Sequence, residues 1–335
     1  MKVDFTAEQA LGTAPAVSAE QDGYDAVWFG ETSHDPFVSI ALAAQATSRV
    51  QLGSGVAIAL ARSPMTLAVT ANDLQLITEG RLLLGLGSQV KAHVTRRFSM
   101  PWIQPVGQMR EFVLAMRAIW RSWHEDEALD FQGEYYSHTL MTPFFNPGPN
   151  PYGPPPVLLA GVGSKMIELA GEVADGFMCH GFATERYLRE VVLPSLRAGR
   201  DKSGRDLDGF QISGLPFVVT GVDEEQIAAS AAGVRDQIAF YAATPAYRAV
   251  LELHGWGDLQ TELNAMTKAG RWKEMGGLID DEVLNTFAVV AEPDRVAAEV
   301  LRRFQGIFTR LHLYLKTELD ADVQAGICEQ IQAGA

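Results

Sequence analysis

Eight short apolar runs, most followed by a stretch with helical spacing, constrain this chain more than any other feature. They lie at residues 2–5, 24–31, 50–59, 81–86, 156–159, 176–181, 210–220 and 310–315. None alternates strictly between polar and apolar, as a strand wetted on one face would. Strands apolar on both faces and alternating with helices predict a parallel sheet covered on both sides. Eight such units predict an α/β fold of the (β/α)8 TIM-barrel type rather than an open sheet. The span 223–295 is too long for one crossover and is mostly helical in pattern, so it reads as an insertion after the seventh strand of a single domain covering 1–335. Its Phe240, Tyr241, Tyr247 and Trp256 are candidates for a lid or for contacts between subunits.

Composition narrows the function classes. With 335 residues, 47% of them hydrophobic, the chain can bury a large core, and no repeat or low-complexity tract interrupts it. A formal net charge of −14 argues against nonspecific binding to nucleic acid or anionic membranes. Cys179 and Cys328 stand far apart, which argues for a reducing compartment. No signal segment or long uncharged apolar span is seen, so a cytoplasmic location without membrane contact is expected. The histidines show no metal-ligand spacing with the cysteines, so no metal site is expected and a metal-dependent barrel hydrolase is disfavoured.

Chemistry is suggested where strands end. The segment AGVGSKMIELAGEVADG, 160–176, reads as a strand end, a glycine turn and a helix. Gly161 and Gly163 let an anion approach the backbone, Ser164 can cap the helix, and Lys165 adds a full charge beside its N-terminus. An ordinary strand-to-helix turn requires much the same residues. It is no dinucleotide fingerprint, because the third glycine position of that motif falls on Met166. After the second strand, Glu31, His34 and Asp35 crowd together before Pro36 opens a helix. His34 is the natural proton donor or acceptor there, while Asp35 equally suits a helix cap. The loop 87–98 gathers Lys91, His93, Arg96 and Arg97 in an otherwise acidic chain. In isolation that loop reads as a solvated face, but in a barrel it opens at the same end as the 160–164 turn.

Four separated segments, FGETSHDPF, LGSGVAIALARSP, GRLLLGLGSQVKAHVTRRF and AGVGSKMIELAGEVADG, resemble the luciferase-like monooxygenase superfamily, in particular its branch dependent on the deazaflavin coenzyme F420. The stretch DEVLNTFAVVAEPDRVAAEV resembles the same branch. The resemblance implies a TIM barrel with a late excursion, a cofactor ring at the carboxyl ends of the strands, and a non-proline cis peptide at Gly55-Val56 backing that ring. It implies that His34 lies near the reactive ring and that Gly161, Val162, Gly163 and Ser164 form the phosphate turn. Lys91, His93 and Arg97 would meet the anionic tail by charge. Asp35, Gly87, Ser88, Lys165 and His180 complete the expected cofactor contacts, and Glu31 the expected catalytic pair with His34. One departure is the first strand, whose Thr6, Ala7 and Glu8 carry over no catalytic residue.

The activity implied is hydride transfer between coenzyme F420 and a small organic substrate, an alcohol, carbonyl compound or activated alkene, in a mostly apolar pocket lined by Phe29, Trp102 and Trp256. The alternatives are an FMN-dependent monooxygenase using reduced flavin and dioxygen, and a non-catalytic deazaflavin or flavin carrier. A homodimer is expected by family analogy.

Overall fold

The structure, a computed structural model, describes residues 1–7, 11–125 and 127–334. Eight parallel strands close on themselves in chain order. They are β1 (Lys2–Ala7), β2 (Ala26–Phe29), β3 (Gln51–Ser54), β4 (Leu82–Gly87), β5 (Val157–Gly161), β6 (Gly176–Cys179), β7 (Gln211–Gly214) and β8 (Arg310–Leu311). The closing ladder sets Lys2 opposite Arg310 and Val3 opposite Leu311, and the seam between β3 and β4 pairs Leu52 with Leu82. The TIM barrel predicted from the apolar runs is the fold observed.

Strand burial explains why those runs carry no polar alternation. Leu82, Leu83, Leu84 and Leu86 are all buried, some against the helix layer and some inside the barrel. Each such leucine contributes about 1.5–3 kcal/mol relative to an exposed one. Inside the barrel, Ala26, Trp28, Leu83 and Leu158 form a small apolar plug with Met178 against it. Alongside it lies a polar layer. The Arg310 guanidinium donates to both Asp4 carboxylate oxygens at 2.6 and 2.9 Å, and the Trp28 indole N–H donates to Asp4 at 2.8 Å. Gln211 Oε1 also accepts from Arg310 at 2.8 Å. A charge pair this deep persists because both Asp4 oxygens and the Arg310 guanidinium are hydrogen-bonded.

The helices start where the sequence places them. Asp35 accepts from Phe37 N at 2.9 Å to cap helix Pro36–Ala46, and Ser63 accepts from Thr66 N at 3.1 Å to cap helix Pro64–Ile77. Helix Pro105–His124 covers the next flank with Phe112, Met116 and Trp120 buried. No helix among the described residues is long and apolar enough to cross a membrane.

One sequence expectation is met in detail and one needs correction. The run 50–59 is broken at the bulge that the resemblance implies: after β3 the chain passes through a cis peptide at Gly55-Val56 and resumes as Ala57–Ile58 beside β4. The run 210–220 is two strands, because Pro216 offers no N–H to continue the ladder. Its second half, Phe217–Val219, leaves the barrel and pairs with Ala288–Val290 on one side and Tyr314–Leu315 on the other. The span 223–295 therefore contains a strand as well as helices Glu224–Ala242, Arg248–Leu253, Gly257–Lys268 and Asp281–Phe287, and helix Pro293–Phe304 that follows returns the chain to β8.

Candidate active site

Parallel strands put every β-to-α connection at one end of the barrel, so the segments after β2, β3, β4, β5 and β6 meet there. A cavity of about 1060 Å³ opens among them. Gly55, Val56, Gly87, Ser88, Gly161, Val162, Gly163 and His180 line it, all singled out from sequence. The bulge is held by Gly55 N donating to Phe29 O at 2.8 Å. A side chain at position 87 would meet Val56 Cγ2 at 2.8 Å, whereas one at position 163 would meet nothing within 4 Å. Open space beside Gly163 and a tightly packed bulge mark the two ends of one wall.

The turn after β5 differs in detail from its sequence reading. Gly163, not Ser164, is the cap of helix Ser164–Val173, and no side chain caps it. Its carbonyl accepts from Met166 N and Ile167 N, which leaves the Ser164 and Lys165 N–H groups unpaired within the helix. Both side chains are exposed and lie outside the cavity lining.

The acidic cluster after β2 is tied down. Glu31, its side chain 8% exposed, accepts from Ile58 N at 2.7 Å and from Arg62 Nη1 at 2.6 Å. Arg62 Nη2 donates to Asp35 at 2.9 Å, and its guanidinium lies 5.2 Å from the Phe37 ring centroid. One arginine thus fastens the β2 loop to the chain beyond the bulge. His34 is carried on that loop, exposed, two residues beyond Thr32 of the cavity lining but not itself part of it. The basic loop sits at the rim. Lys91 and His93 are exposed there, and Arg97 Nη2 donates to Thr32 O at 2.5 Å, joining the β4 and β2 loops.

His180 is fixed from both sides. Its Nδ1 accepts from Phe182 N at 3.0 Å, so the proton of the neutral ring belongs on Nε2, 3.1 Å from the Tyr247 hydroxyl of the insertion. Burial pushes the imidazole down to about 4 and the neighbouring Cys179 thiol up to about 12. Neither is poised as a base or nucleophile near neutral pH. Phe29, Trp102 and Trp256 do not line the cavity; Phe29 is buried in the main core and Trp256 stacks on His254 at 4.7 Å. Met178, Leu215, Tyr241, Leu313 and Leu315 supply the apolar surface instead. Among the described residues, no group of three or more His, Cys, Asp or Glu side chains is placed to hold a metal ion.

A family model described as luciferase-like monooxygenase matches residues 12–310. The chain belongs to that family. An uncharacterized protein of Mycobacterium tuberculosis is 49% identical to it over 93% of this chain and 92% of that one. A 5,10-methylenetetrahydromethanopterin reductase of Methanolobus tindarius is 26% identical over 84% of this chain and 83% of its own. The solved coenzyme F420 dependent tetrahydromethanopterin reductase from Methanopyrus kandleri superposes with a TM-score of 0.79 at 18% identity, covering 99% of this chain and 98% of that one. At that identity the structural likeness speaks for the fold.

This luciferase-like monooxygenase family member also lines its cavity with polar residues that sequence reasoning missed. Thr6, His312 and Thr317 face it from β1 and from the segment after β8. The signal was present in RLHLYL: Arg310 and His312 are two apart, hence on one face, and Arg310 points inward to Asp4. Glu8 lies outside the described residues.

Proposed function

We propose that this protein is an oxidoreductase that transfers a hydride between coenzyme F420 and a small organic substrate, an alcohol, a carbonyl compound or an activated alkene. The observation that carries this reading is that the glycine turn after β5 and the bulge after β3 open onto one cavity of about 1060 Å³. Pockets for a single small ligand run to roughly 1,000 Å³, so this one has room for a cofactor and part of a substrate.

The residues present fit such a cofactor. Gly161, Val162 and Gly163 offer a side-chain-poor edge, Ser164 and Lys165 offer unpaired N–H groups at a helix start, and Lys165 adds a cation. Val56 on the bulge, with Gly87 and Ser88, would back the ring, and Lys91, His93 and Arg97 at the rim suit an acidic tail. When bound, the deazaflavin supplies a carbon centre that accepts or gives up a hydride. The chain's own part is to orient, to exclude water and to move a proton. His34, held at the rim by the Glu31–Arg62–Asp35 clamp, is the residue proposed to take up or supply that proton at the cavity mouth. Glu31 acts through Arg62 by fixing the loop.

The family's description as a monooxygenase favours a second reading in which dioxygen is the oxidant, with FMN as the cofactor this reading would take. Titrating the purified protein with F420 and with FMN separates the two. The expected result is micromolar or tighter binding of F420 with weaker binding of FMN. Tight FMN binding with none of F420 overturns the proposal.

A further inference from the structure

We propose that the arc of cavity wall built by β1 and the segment after β8 is the substrate side of the site, where Thr6, His312 and Thr317 bind the oxygen of a neutral alcohol or carbonyl compound. This rests on the oxidoreductase reading above and assigns the side chains that would select its substrate.

Thr6 Oγ1, His312 Nδ1 and Thr317 Oγ1 are buried and have no hydrogen-bond partner. All three residues line the cavity of about 1060 Å³. Other buried side-chain atoms in that condition, such as Trp123 Nε1, His138 Nε2 and Ser230 Oγ, belong to residues that do not line it. Unpaired polar atoms carry a free-energy penalty, and one concentrated around a cavity is relieved when a ligand brings the matching group.

Register puts two of them in neighbouring layers. Val3 pairs with Leu311, and Arg310 reaches inward to Asp4. Continuing the ladder, His312 falls level with Asp4 and Thr6 two residues further toward the opening, both on the inward face that Asp4 and Arg310 share. In the closed ring of strands, β8 and β1 lie across from β4 and β5, which carry the glycine-lined wall. The two walls differ in kind: backbone and glycine suit a flat ring and a phosphate, whereas hydroxyls and an imidazole suit a small oxygen function.

Charge narrows the class. Asp4 on this face is matched by Arg310, and the charged side chains after β8 that line the cavity, Lys316 and Glu318, are exposed and of opposite sign. Among the described residues of this arc the charges sum to zero, so a carboxylate or phosphate meets no net attraction there. A histidine nitrogen and two hydroxyls can each donate to a carbonyl or alcohol oxygen, and Leu215, Leu313 and Leu315 beside them match a hydrocarbon body.

The test uses the full chain labelled with 15N-histidine, with cyclohexanone and cyclohexanecarboxylate as probes. The expected result is that cyclohexanone shifts the His312 ring nitrogens, assigned with His312→Phe, while the carboxylate binds at least about tenfold more weakly. Thr6→Val and Thr317→Val, nearly isosteric, should each weaken cyclohexanone binding severalfold. The proposal is overturned if cyclohexanone leaves His312 unmoved, if the threonine variants bind it unchanged, or if the carboxylate binds as well. F420 titration of the same proteins keeps the two readings apart. Unchanged F420 affinity in the variants leaves the cofactor assignment standing whatever the probes show, and no F420 binding by the wild type sinks that assignment alone.

Discussion

Acid should destabilise this protein through two histidines that the fold keeps neutral. Burial pushes both His180 and His312 down to about 4, and for His312 the Arg310 guanidinium adds to the effect. His180 faces Cys179 and the rings of Tyr241 and Tyr247, at 4.6 and 4.7 Å, and among the described residues burial alone, with no carboxylate, sets its titration. His312 follows Arg310, whose charge is already matched by Asp4. In an unfolded chain a histidine titrates near about 6.5. With the folded value below the unfolded one, the unfolded chain binds the extra proton. Stability is therefore complete above about pH 6.5, declines as pH falls toward 4, and levels off below that. Between about pH 7 and pH 5, linkage with these values gives a loss of roughly 2 kcal/mol per histidine. His312→Phe isolates one of them, since its Nδ1 makes no bond that would be lost. Urea unfolding of wild type and variant at both pH values is the assay. The wild type should lose about 2 kcal/mol more than the variant over that interval. Parallel losses in the two proteins would refute the reasoning, because His312 would then titrate as an exposed histidine does.

Two further predictions test the buried pair and the cavity wall. Arg310→Met leaves the Asp4 carboxylate uncompensated in the barrel and should cost about 3–5 kcal/mol in the same unfolding assay, with Asp4→Leu/Arg310→Met more stable than the single variant; a cost below about 1 kcal/mol would show that Asp4 is not charged there. Gly163→Ala adds a methyl that meets no atom within 4 Å, so it should leave stability within about 0.5 kcal/mol of wild type yet weaken F420 binding roughly tenfold, whereas Gly87→Ala should lower both by displacing Val56. Fluorescence titration and thermal melts on both variants check this, and equal F420 affinity in Gly163→Ala and wild type counts against a phosphate at the turn.

The barrel was legible because its strands are buried on both faces and leave an uninterrupted apolar record. The bulge was legible through Gly53 and Gly55 inside such a record, and through the resemblance that points to Gly55-Val56. Side-chain direction was not. His34 and Lys91 are the residue types a redox site wants, but whether a loop turns them inward depends on contacts such as Arg62 with Glu31, made with a residue far along the chain. His312 was overlooked for the opposite reason: a run read as uniformly apolar hides its inward polar pair. Even the split of the seventh strand was signalled by Pro216, whose carbonyl still accepts from Tyr314 N at 2.9 Å while its nitrogen can offer nothing in return.

The small sheet beyond the barrel carries an implication for how such a molecule changes over time. Phe217–Val219 departs for the helical excursion and Ala288–Val290 comes back hydrogen-bonded alongside it, Val218 abreast of Val289. Exit and re-entry are stapled together. What is strung between them packs back on the barrel, Phe287 stacked on Phe182 with ring centroids 4.4 Å apart, and the pairing of Val218 with Val289 fixes where it starts and ends. The excursion supplies Tyr241 to the cavity lining and Tyr247 to His180, so refitting that one cassette would re-dress the entrance without rebuilding the floor.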